Sequence, residues 1–445
     1  MVAVFYTTGL TQKAWEWFTN ASYKKAAIVV DVRRSSNLRR IWEGLAQGFE
    51  RENLRLNQVN GELKQVKVKY IRIDHVLDGY GTIGRRSDGS LYYNFSKLDL
   101  LVNDILKSGA KPFFSLSYMP AVISQGDVTD MPKSWSDYAR VVGWFVAHYS
   151  KYFHGGIKGV AYEIWNEPDL FGHWKTYGSK NYLTLYTTAV KAAESVRGAK
   201  PFLIGGPATT GFYQAWAKDF YTKLKVRRDF YSWHRYSYQV DDFVKDVEQA
   251  QKIIGPLTKR NQKVFITEWG PSSARGKVYD SRLAGAHMVA VIRAMEDTPV
   301  DLMMAFEIED GQGGSKWHGG WGMLTNPAYG SISAKPRWKV YRFLNSLGEQ
   351  RLKLIGEGSF VKALASLDKL GVIRVLLVNY DRRGRHSEVF PMAVTGLHDG
   401  EYKIVETYLS GRRVEAKTMA VKGSIKREYA LDPNEVVLVE IKRIR

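Results

Sequence analysis

The sequence predicts an α/β protein made of a (β/α)8 barrel and an accessory C-terminal antiparallel β-sandwich. Short apolar runs alternate with stretches of helical period from about residue 40 to 345. After residue 350 the pattern changes to short β-prone runs separated by turns at intervals of about 8 to 12 residues. Of the 445 residues, 44% are hydrophobic and 13% are aromatic, which excludes a disordered chain.

The candidate strands of the barrel follow one another in order along the chain. They are EGLAQG (43–48), VKYIRID (68–74), KPFFSLS (111–117), GVAYEIWN (159–166), PFLIGG (201–206), DFYSWHRY (229–236), KVFITEW (263–269) and DLMMAFEIE (301–309). Helical patterns lie between them; the pattern in FSKLDLLVNDILKSGA ends at Gly109, and its apolar face consists of Leu98, Leu101, Val102, Ile105 and Leu106. Eight strands that each precede a helix predict a parallel sheet covered on both faces and closed into a barrel.

An open doubly wound sheet is the alternative arrangement of the same strands. Such a sheet binds a phosphate at a glycine-rich turn after its first strand. No turn of that kind follows residues 43–48, so the closed barrel is favoured.

Three parts are predicted along the chain. Residues 1–40 form an N-terminal segment, whose run AAIVVDVRR (26–34) is expected to add a strand to the sandwich. Residues 41–347 form the barrel. Residues 348–445 form the sandwich, from the runs FVKALASL, VIRVLLVNYD, EVFPMAV, YKIVETYL, SIKREYAL and EVVLVEIKR.

Cysteine content and charge limit the cofactors and partners. The chain has no cysteine, which excludes disulfides and thiolate metal sites, and no pattern has divalent-metal spacing, so no cofactor is expected. Sixty-five Lys and Arg against 45 Asp and Glu give a formal charge of +20. The basic residues are scattered and no nucleic-acid-binding motif accompanies them, so a generally basic surface is favoured over a nucleic-acid site.

The cellular location is predicted from the absence of a signal-peptide pattern at the N-terminus. The stretch MVAVFYTTGLTQKAWEWF has no basic segment followed by an apolar one, and no apolar run of about 18 residues occurs elsewhere. We expect a cytoplasmic protein that neither spans nor enters a membrane. The sequence leaves the oligomeric state open.

Two strands of the predicted barrel end in a glutamate. Glu167 follows the fourth strand in YEIWNEPDL, and Glu268 closes the seventh in FITEWGPSS. The C-terminal ends of barrel strands carry the chemistry of this fold, so the two carboxylates can face one cavity. Glycoside hydrolysis requires such a pair, one to protonate the leaving oxygen and one to attack the anomeric carbon or activate water. In this interpretation Pro168 fixes the turn and Asn166 hydrogen-bonds a sugar hydroxyl.

A structural role for the two glutamates is the alternative. Glu167 would then belong to the first turn of a helix, and Glu268 would be a surface carboxylate or an ion-pair partner. Such a structural role would explain either glutamate on its own. Two carboxylates at strand ends, each close to a tryptophan, favour the catalytic interpretation.

Seven stretches resemble the clan A retaining glycoside hydrolases and, within that clan, glycoside hydrolase family 39, which includes β-xylosidases and α-L-iduronidases. They are KYIRIDHVL, KPFFSLSYMP, YEIWNEPDLFGHW, LIGGPAT, DFYSWHRY, FITEW, and HGGWGML followed by KPRWKVYRFLNSLG. The motif NEP alone is only moderately specific, but the seven stretches occur in order and cover most of the barrel.

The resemblance implies the roles of several residues. Glu167 would be the general acid/base and Glu268 the nucleophile, with retention of configuration through a covalent glycosyl-enzyme. Asn166 would contact the 2-hydroxyl of the sugar, while His234 and Tyr236 would lie beside the nucleophile. The negative charge on the nucleophile would keep the acid protonated.

Tryptophans are candidates for stacking on the apolar face of a sugar. Trp174 matches an aromatic residue in the family's motif NEPN…FW. The others lie at strand ends or in the loop after the eighth strand, and about half of them would be ordinary core residues: Trp233, Trp269, Trp317 and Trp321.

Charged and polar side chains are further candidates. Arg72 would either hydrogen-bond Glu268 and keep it ionised, or form an ion pair with Asp74 or Asp78. Glu307 would bind a sugar hydroxyl or offset the basic surface. The remaining candidates are explained equally well by packing or by surface charge: His75, His318, Glu309, Asp310 and, for the carboxylate of a uronic acid, Lys316.

Three positions depart from the β-xylosidase pattern. Ser115 stands where the family commonly has Glu, Gly270 where it has Asn, and MAFEIEDGQGG where its eighth strand reads WTFSD. Because these positions form walls of the pocket, the resemblance does not fix the sugar.

The predicted function is a retaining hydrolase of β-glycosidic bonds, exo-acting on β-xylosides or β-glucosides. One alternative is an endo-acting hydrolase or transglycosidase on an acidic glycan, which a basic surface would suit. The other is a carbohydrate-binding barrel without activity, which the presence of both carboxylates argues against.

Overall fold

Eight parallel strands close into a barrel in the computed structural model of the chain, which describes residues 24–52, 54–258 and 262–444. The predicted N-terminal segment lies in part outside the described residues. Of those described, the residues before Arg39 and after Ser346 form one unit, and Arg39–Ser346 form a second unit that contains the barrel.

The elements of both units are numbered in chain order. The strands are β1 (Ile28–Asn37), β2 (Gly44–Gln47), β3 (Tyr70–Ile73), β4 (Ile83–Arg85), β5 (Leu91–Tyr93), β6 (Lys111–Leu116), β7 (Ala161–Ile164), β8 (Leu203–Thr209), β9 (Phe230–Tyr236), β10 (Lys263–Gly270), β11 (Leu302–Phe306), β12 (Gln350–Ile355), β13 (Val361–Leu367), β14 (Ile373–Asn379), β15 (Glu388–Thr395), β16 (Gly400–Tyr408), β17 (Arg413–Ala420), β18 (Ser424–Leu431) and β19 (Val436–Arg443). The α-helices are α1 (Asn60–Leu63), α2 (Ser96–Lys107), α3 (Trp135–Ala147), α4 (Tyr182–Glu194), α5 (Gln214–Lys223), α6 (Val240–Ile254), α7 (Arg282–Met295) and α8 (Pro336–Ser346). Short helices of other types cover His148–Tyr152, Phe153–Gly155, Gly255–Leu257, Lys277–Asp280 and Pro327–Tyr329.

The barrel contains β2, β3, β6, β7, β8, β9, β10 and β11 in that order and closes where β11 pairs with β2. Each of these strands overlaps one of the eight predicted strands, so the predicted fold class is confirmed. The last strand is shorter than predicted. Glu307 donates its backbone N–H to the carbonyl of Trp321 in a loop, although the N–H of Ile308 still donates to Ala46 of β2.

The helices cover the outer face of the barrel strands with apolar side chains. Helix α2 buries Leu98, Leu101, Val102 and Ile105, four of the five residues of the predicted apolar face, and the fifth, Leu106, is only partly buried. Gly109 follows at φ 88°, a conformation in which glycine commonly ends a helix. Within the described residues, every helix falls short of the length and apolar character that a membrane span requires.

Inside the barrel, the side chains change from apolar to charged along the strands. A buried cluster fills the lower part and includes Tyr70, Phe113, Ala161, Phe230 and Phe265. Alternate residues of a strand face the same side, so the side chains two positions further on also point inward. On β3, β6 and β7 these are Arg72, Ser115 and Glu163, all of which are buried. The barrel therefore places an arginine and a glutamate above an apolar floor.

Strand β10 contains one extra residue just before Glu268. In its pairing with β9, Ile266 lies opposite Trp233 and Glu268 lies opposite His234, so Thr267 has no partner of its own. An extra residue of this kind reverses the face to which later side chains point. Phe265 and Glu268 can thus both face the interior, which regular alternation would not allow.

The other unit is a nine-stranded sheet in the order β17, β16, β19, β14, β13, β12, β1, β15, β18. Strand β1 pairs antiparallel with β12 and parallel with β15, and the other described pairings are antiparallel. One buried apolar cluster takes residues from both ends of this order, so the two halves of the sheet face one core. Strand β1, which precedes the barrel in sequence, therefore lies inside a sheet whose other strands all follow the barrel in sequence.

Two strands of this sheet were not predicted from the sequence. They are β12 and β17, and both carry charged or exposed side chains along most of their length. Strand β17 is at the edge of the sheet, where alternating charges such as Arg413, Glu415 and Lys417 are common because they oppose pairing with other chains. Such strands lack the apolar alternation on which the prediction relied.

Ile28→Ala is expected to lower the free energy of unfolding of the sheet unit by about 2–5 kcal/mol, because it leaves a cavity in the core. Ile28 is 1% exposed in β1, whereas Ile355 on the neighbouring strand β12 is 57% exposed. Ile355→Ala, the matched control, should change the stability by less than about 0.5 kcal/mol. Chemical denaturation followed by circular dichroism measures both, and equal losses would contradict the central position of β1.

Candidate active site

Arg72 lies at the centre of the upper barrel and donates to three side chains. Its Nε donates to Glu163 at 2.7 Å, its Nη1 to Glu268 at 2.7 Å and its Nη2 to Asn166 Oδ1 at 2.7 Å. Burial disfavours the charge of Arg72, but the two carboxylates outweigh this and raise the pKa of the guanidinium. Of the two roles weighed for Arg72, the structure contains the hydrogen bond to Glu268, while Asp78 instead contacts His75.

Glu268 accepts hydrogen bonds from two directions. Its Oε1 accepts from Arg72, and its Oε2 accepts from the hydroxyl of Tyr236 at 2.9 Å. His234 Nδ1 lies 3.5 Å from the same Oε2. Burial raises the pKa of Glu268, and the positive charges of His234 and Arg72 oppose this rise. The carboxylate is thus held in one orientation by donors that favour its ionised form.

Glu167 is positioned by an irregular turn at the end of β7. Trp165 and Glu167 have φ values of 73° and 46°, which few non-glycine residues adopt. The backbone N–H of Glu167 donates to Ala208 at 2.9 Å, and its carbonyl accepts from the N–H of Phe171 at 2.7 Å. These bonds explain how a residue three positions beyond the strand is fixed at the mouth of the barrel.

His234 connects the two glutamates. Its Nδ1 is 2.8 Å from Glu167 Oε1 and 3.5 Å from Glu268 Oε2. Burial alone would lower the pKa of His234, but the charge of Glu268 and the hydrogen bond with Glu167 together raise it. A protonated imidazole between two carboxylates reduces their mutual repulsion.

The two glutamates lie close together. One ligand atom each from Glu167, His234 and Glu268 lie within 4.8 Å of one another. Within the described part of the chain, this is the one group whose spacing would allow a metal ion. The imidazole nitrogen that faces the carboxylates is already engaged with Glu167, and Arg72 already supplies a positive charge to Glu268. The donor set is therefore occupied by internal hydrogen bonds and suits proton transfer better than metal binding.

Asn166 is held at both ends of its amide. Oδ1 accepts from Arg72, and Nδ2 donates to the hydroxyl of Tyr118 at 2.8 Å. One hydrogen of Nδ2 is left for a further acceptor. Asn166 can therefore hydrogen-bond a ligand without releasing either partner.

Two buried glutamates, Glu307 and Glu309, follow β11 and form an acidic group. Glu307 accepts from the side-chain amide of Gln47 at 2.8 Å and from the backbone N–H of Gly48 at 3.1 Å through one oxygen, and its other oxygen is buried without a hydrogen bond. Burial, reinforced by the charge of Glu50, raises the pKa of Glu307 well above its usual value. Glu309 lies 2.6 Å from Arg51. Burial nevertheless raises the pKa of Glu309 to about 7.

The tryptophans predicted to stack on a sugar occupy different environments. Trp174 and Trp269 are 0% and 1% exposed, so neither ring has a free face; Trp174 packs against Trp165, and Trp269 against Phe243. Trp233 is also buried and donates to Asp246. Trp317 is 49% exposed and could contact a ligand, and Trp321 packs under the guanidinium of Arg275.

The other predicted polar residues lie near the mouth of the barrel or in the loop after β11. His75 is half-buried between Phe49 and Tyr118 and contacts Asp78. His318 Nδ1 lies 2.9 Å from the carbonyl of Ser315. The ammonium of Lys316 is bonded to the carbonyl of Ser331, so it already has a partner.

Two residues of this site were missed from the sequence. Glu163 forms the buried ion pair with Arg72, and Tyr118 holds Asn166. The signal for Glu163 was available, because a carboxylate and an arginine each stand in the middle of a buried strand and buried charges require a partner. Tyr118 follows β6 in a segment without periodicity, so nothing local indicated its role.

A parallel barrel with two carboxylates close together beyond the C-terminal ends of its strands has the architecture of a class of glycoside hydrolases. The family model described as glycosyl hydrolases family 39 matches residues 33–373. The chain belongs to this family, as its motifs predicted. It is a glycoside hydrolase, and its substrate is a carbohydrate.

Known proteins similar to this chain agree with the family. A β-xylosidase of Caldicellulosiruptor saccharolyticus is 28% identical over 318 residues, which are 64% of this chain and 63%, just under two thirds, of that protein. A β-xylosidase of Geobacillus stearothermophilus is 25% identical over 432 residues, which are 80% of this chain and 82% of that protein. The crystal structure of a monomeric β-xylosidase from Caulobacter crescentus CB15 has the same fold, with a TM-score of 0.78 at 23% identity over 94% of this chain and 100% of that one.

Arg72→Met is expected to lower the free energy of unfolding at pH 7 by about 3–5 kcal/mol, because Glu163 and Glu268 would be buried without a cation. The loss should become smaller at lower pH, since a protonated carboxyl group needs no cation. Arg140→Met removes a side chain that is 62% exposed and should cost less than about 1 kcal/mol at either pH. Urea denaturation at pH 7 and 5 measures these values, and a loss independent of pH would contradict the electrostatic role of Arg72.

Glu309→Gln is expected to change how stability depends on pH. Burial raises the pKa of Glu309 from 4.5 to about 7, so between these values the folded chain holds a proton that the unfolded chain releases. The free energy of unfolding therefore falls as pH rises through this window, and the variant should lack this fall. Glu248→Gln, at an exposed position of α6, should retain it. Denaturant titrations from pH 4.5 to 7.5 test the difference.

Proposed function

We propose that this protein is a retaining β-glycoside hydrolase that removes single β-xylosyl units from the non-reducing ends of its substrates. The observation that supports this best is the pair Glu167 and Glu268, which each have a carboxylate oxygen within 4.8 Å of the other's. Retaining enzymes separate their carboxyl groups by about 5–5.5 Å, whereas inverting enzymes need about 6.5–9.5 Å to admit a water. Two similar proteins are named β-xylosidases, which favours a xyloside.

Glu268 is the proposed nucleophile of the first step. Arg72 and Tyr236 both donate to it, so its oxygens are oriented, and the positive charge of Arg72 favours the carboxylate form. One oxygen attacks the anomeric carbon while the bond to the leaving oxygen breaks. The product is a glycosyl ester on Glu268.

Glu167 is the proposed acid of the first step and base of the second. It protonates the leaving oxygen as the glycosidic bond breaks. Once the ester has formed, Glu167 takes a proton from water, whose oxygen attacks the anomeric carbon and releases Glu268. His234, which lies 2.8 Å from Glu167, holds this carboxyl group over the bond to be cleaved.

The proposed sugar contacts follow from the same geometry. Asn166 has one amide hydrogen available for a hydroxyl of the sugar next to the nucleophile. Glu307 has an unpaired, buried oxygen that could accept from another hydroxyl, and the raised pKa of this group also allows it to donate. Trp317 is the predicted stacking residue that retains an exposed ring.

The two glutamates can be distinguished by azide rescue. Each alanine variant should lower kcat for 4-nitrophenyl β-xyloside at least about a thousandfold, equivalent to about 4 kcal/mol. In Glu167→Ala, azide should attack the glycosyl-enzyme and give a β-glycosyl azide. In Glu268→Ala, azide should enter from the opposite face and give the α-anomer.

The anomer formed is identified by proton NMR, and Glu248→Ala serves as the control without effect. The same anomer from both variants would contradict the assigned roles. Release of xylose from xylotriose, with xylobiose as the first co-product, tests exo action, and a panel of nitrophenyl glycosides tests the preference for xylose.

A further inference from the structure

A row of aromatic rings lines one side of the barrel mouth. Phe49, His75, Tyr118 and Phe171 follow the ends of β2, β3, β6 and β7, four neighbouring strands of the barrel. Successive ring centroids are 5.4, 4.8 and 5.5 Å apart. The four rings are therefore in contact along the row, each packing against the next.

Phe171 is the exposed end of this row. It is 39% exposed, whereas Tyr118, against which it packs, is 4% exposed. The backbone of Phe171 is held from both sides, because its N–H donates to Glu167 at 2.7 Å and its carbonyl accepts from Trp165 Nε1 at 3.0 Å, and its ring packs against Tyr118. An exposed apolar ring on a held backbone, packed on one side, can stack on a ligand at a reduced cost in side-chain freedom.

The position of Phe171 relative to Glu167 indicates which part of a substrate it would meet. The backbone N–H of Phe171 donates to the carbonyl of Glu167, and the ring of Phe171 packs against Tyr118, whose hydroxyl accepts from Asn166, the residue before Glu167. In the proposed mechanism Glu167 protonates the leaving oxygen, and the leaving group is bonded to that oxygen. The sugar that becomes attached to Glu268 lies on the other side of the cleaved bond.

We propose that Phe171, supported by Tyr118, is the binding platform for the leaving group, and that this group is a sugar ring with an apolar face. The inference rests on the proposed function, because it uses Glu167 as the acid. Of the four residues of this row only His75, between Phe49 and Tyr118, can carry a charge that would repel or select an ionised group. The platform therefore fits a neutral sugar.

The same platform would receive an acceptor sugar in the second step. The acceptor's hydroxyl oxygen forms a bond to the anomeric carbon, the bond to Glu268 breaks, and Glu167 takes the hydroxyl proton. The balance between transfer to a sugar and transfer to water should then depend on Phe171.

The test compares two substrates that transfer the same xylosyl unit but differ in the leaving group. Phe171→Ala should lower kcat/KM for xylobiose about tenfold or more, because the leaving sugar stacks on the ring. The same variant should change kcat/KM for β-xylosyl fluoride by less than about twofold, because the fluoride leaving group has no ring. Phe171→Tyr should restore the value for xylobiose. Tyr177→Ala is the control, at a position that is 66% exposed and further along the same loop, and it should leave kcat/KM unchanged for both substrates.

Transfer gives a second measurement. With xylobiose at high concentration, Phe171→Ala should form at least about fivefold less xylotriose per xylose released than the unmodified enzyme. Equal losses with xylobiose and the fluoride would mean that Phe171 only supports the structure, and no loss with either would mean that the ring is not used; both results overturn the proposal. The activity of the unmodified enzyme on the fluoride tests the proposed function by itself, whereas the ratio between substrates tests Phe171.

Discussion

The three hydrogen bonds of Arg72 hold the upper part of the barrel together. They join β3 to the carboxylates of Glu163 on β7 and Glu268 on β10, and to Asn166 just beyond β7. Two carboxylates cannot be buried close together without a cation, because the cost of removing each charge from water is several kcal/mol or more. Arg72 supplies that cation and uses its planar group to fix the direction of three acceptors. The position of the nucleophile therefore depends on an arginine far from it in sequence.

Local departures from regular structure complete the geometry. An extra residue at Thr267 turns Glu268 toward the interior, and positive φ values at Trp165 and Glu167 bring the second carboxylate back over the barrel. Each residue with such a φ value costs about 1–3 kcal/mol and persists only where its surroundings enforce it. In this chain the surroundings are Ala208 and Phe171, which bond to both sides of the Glu167 peptide. Regular strands provide the frame, and these departures direct its side chains.

The acidic group beyond β11 shows a different use of burial. Glu307 and Glu309 are held in apolar surroundings that raise their pKa values, yet each has donors close by in Gln47 and Arg51. A carboxyl group of this kind can donate or accept a hydrogen bond near neutral pH. Such versatility suits contact with hydroxyl groups, which are both donors and acceptors. The aromatic row, which begins at Phe49 after the neighbouring strand β2, contributes apolar contact instead, so two adjacent parts of the barrel mouth differ in chemistry.

The sequence by itself determined the order of the barrel strands, the apolar face of α2 and the presence of a glutamate at the ends of β7 and β10. These features depend on hydrophobic periodicity and on turn residues, which are local. Only the tertiary structure decided that Arg72 binds Glu163, Glu268 and Asn166 together and that Trp174 and Trp269 are buried. Those outcomes depend on which side chains meet across strands distant in sequence. A single extra residue or a reversed φ changes the side to which a strand's side chains point, and residue composition alone does not record that change.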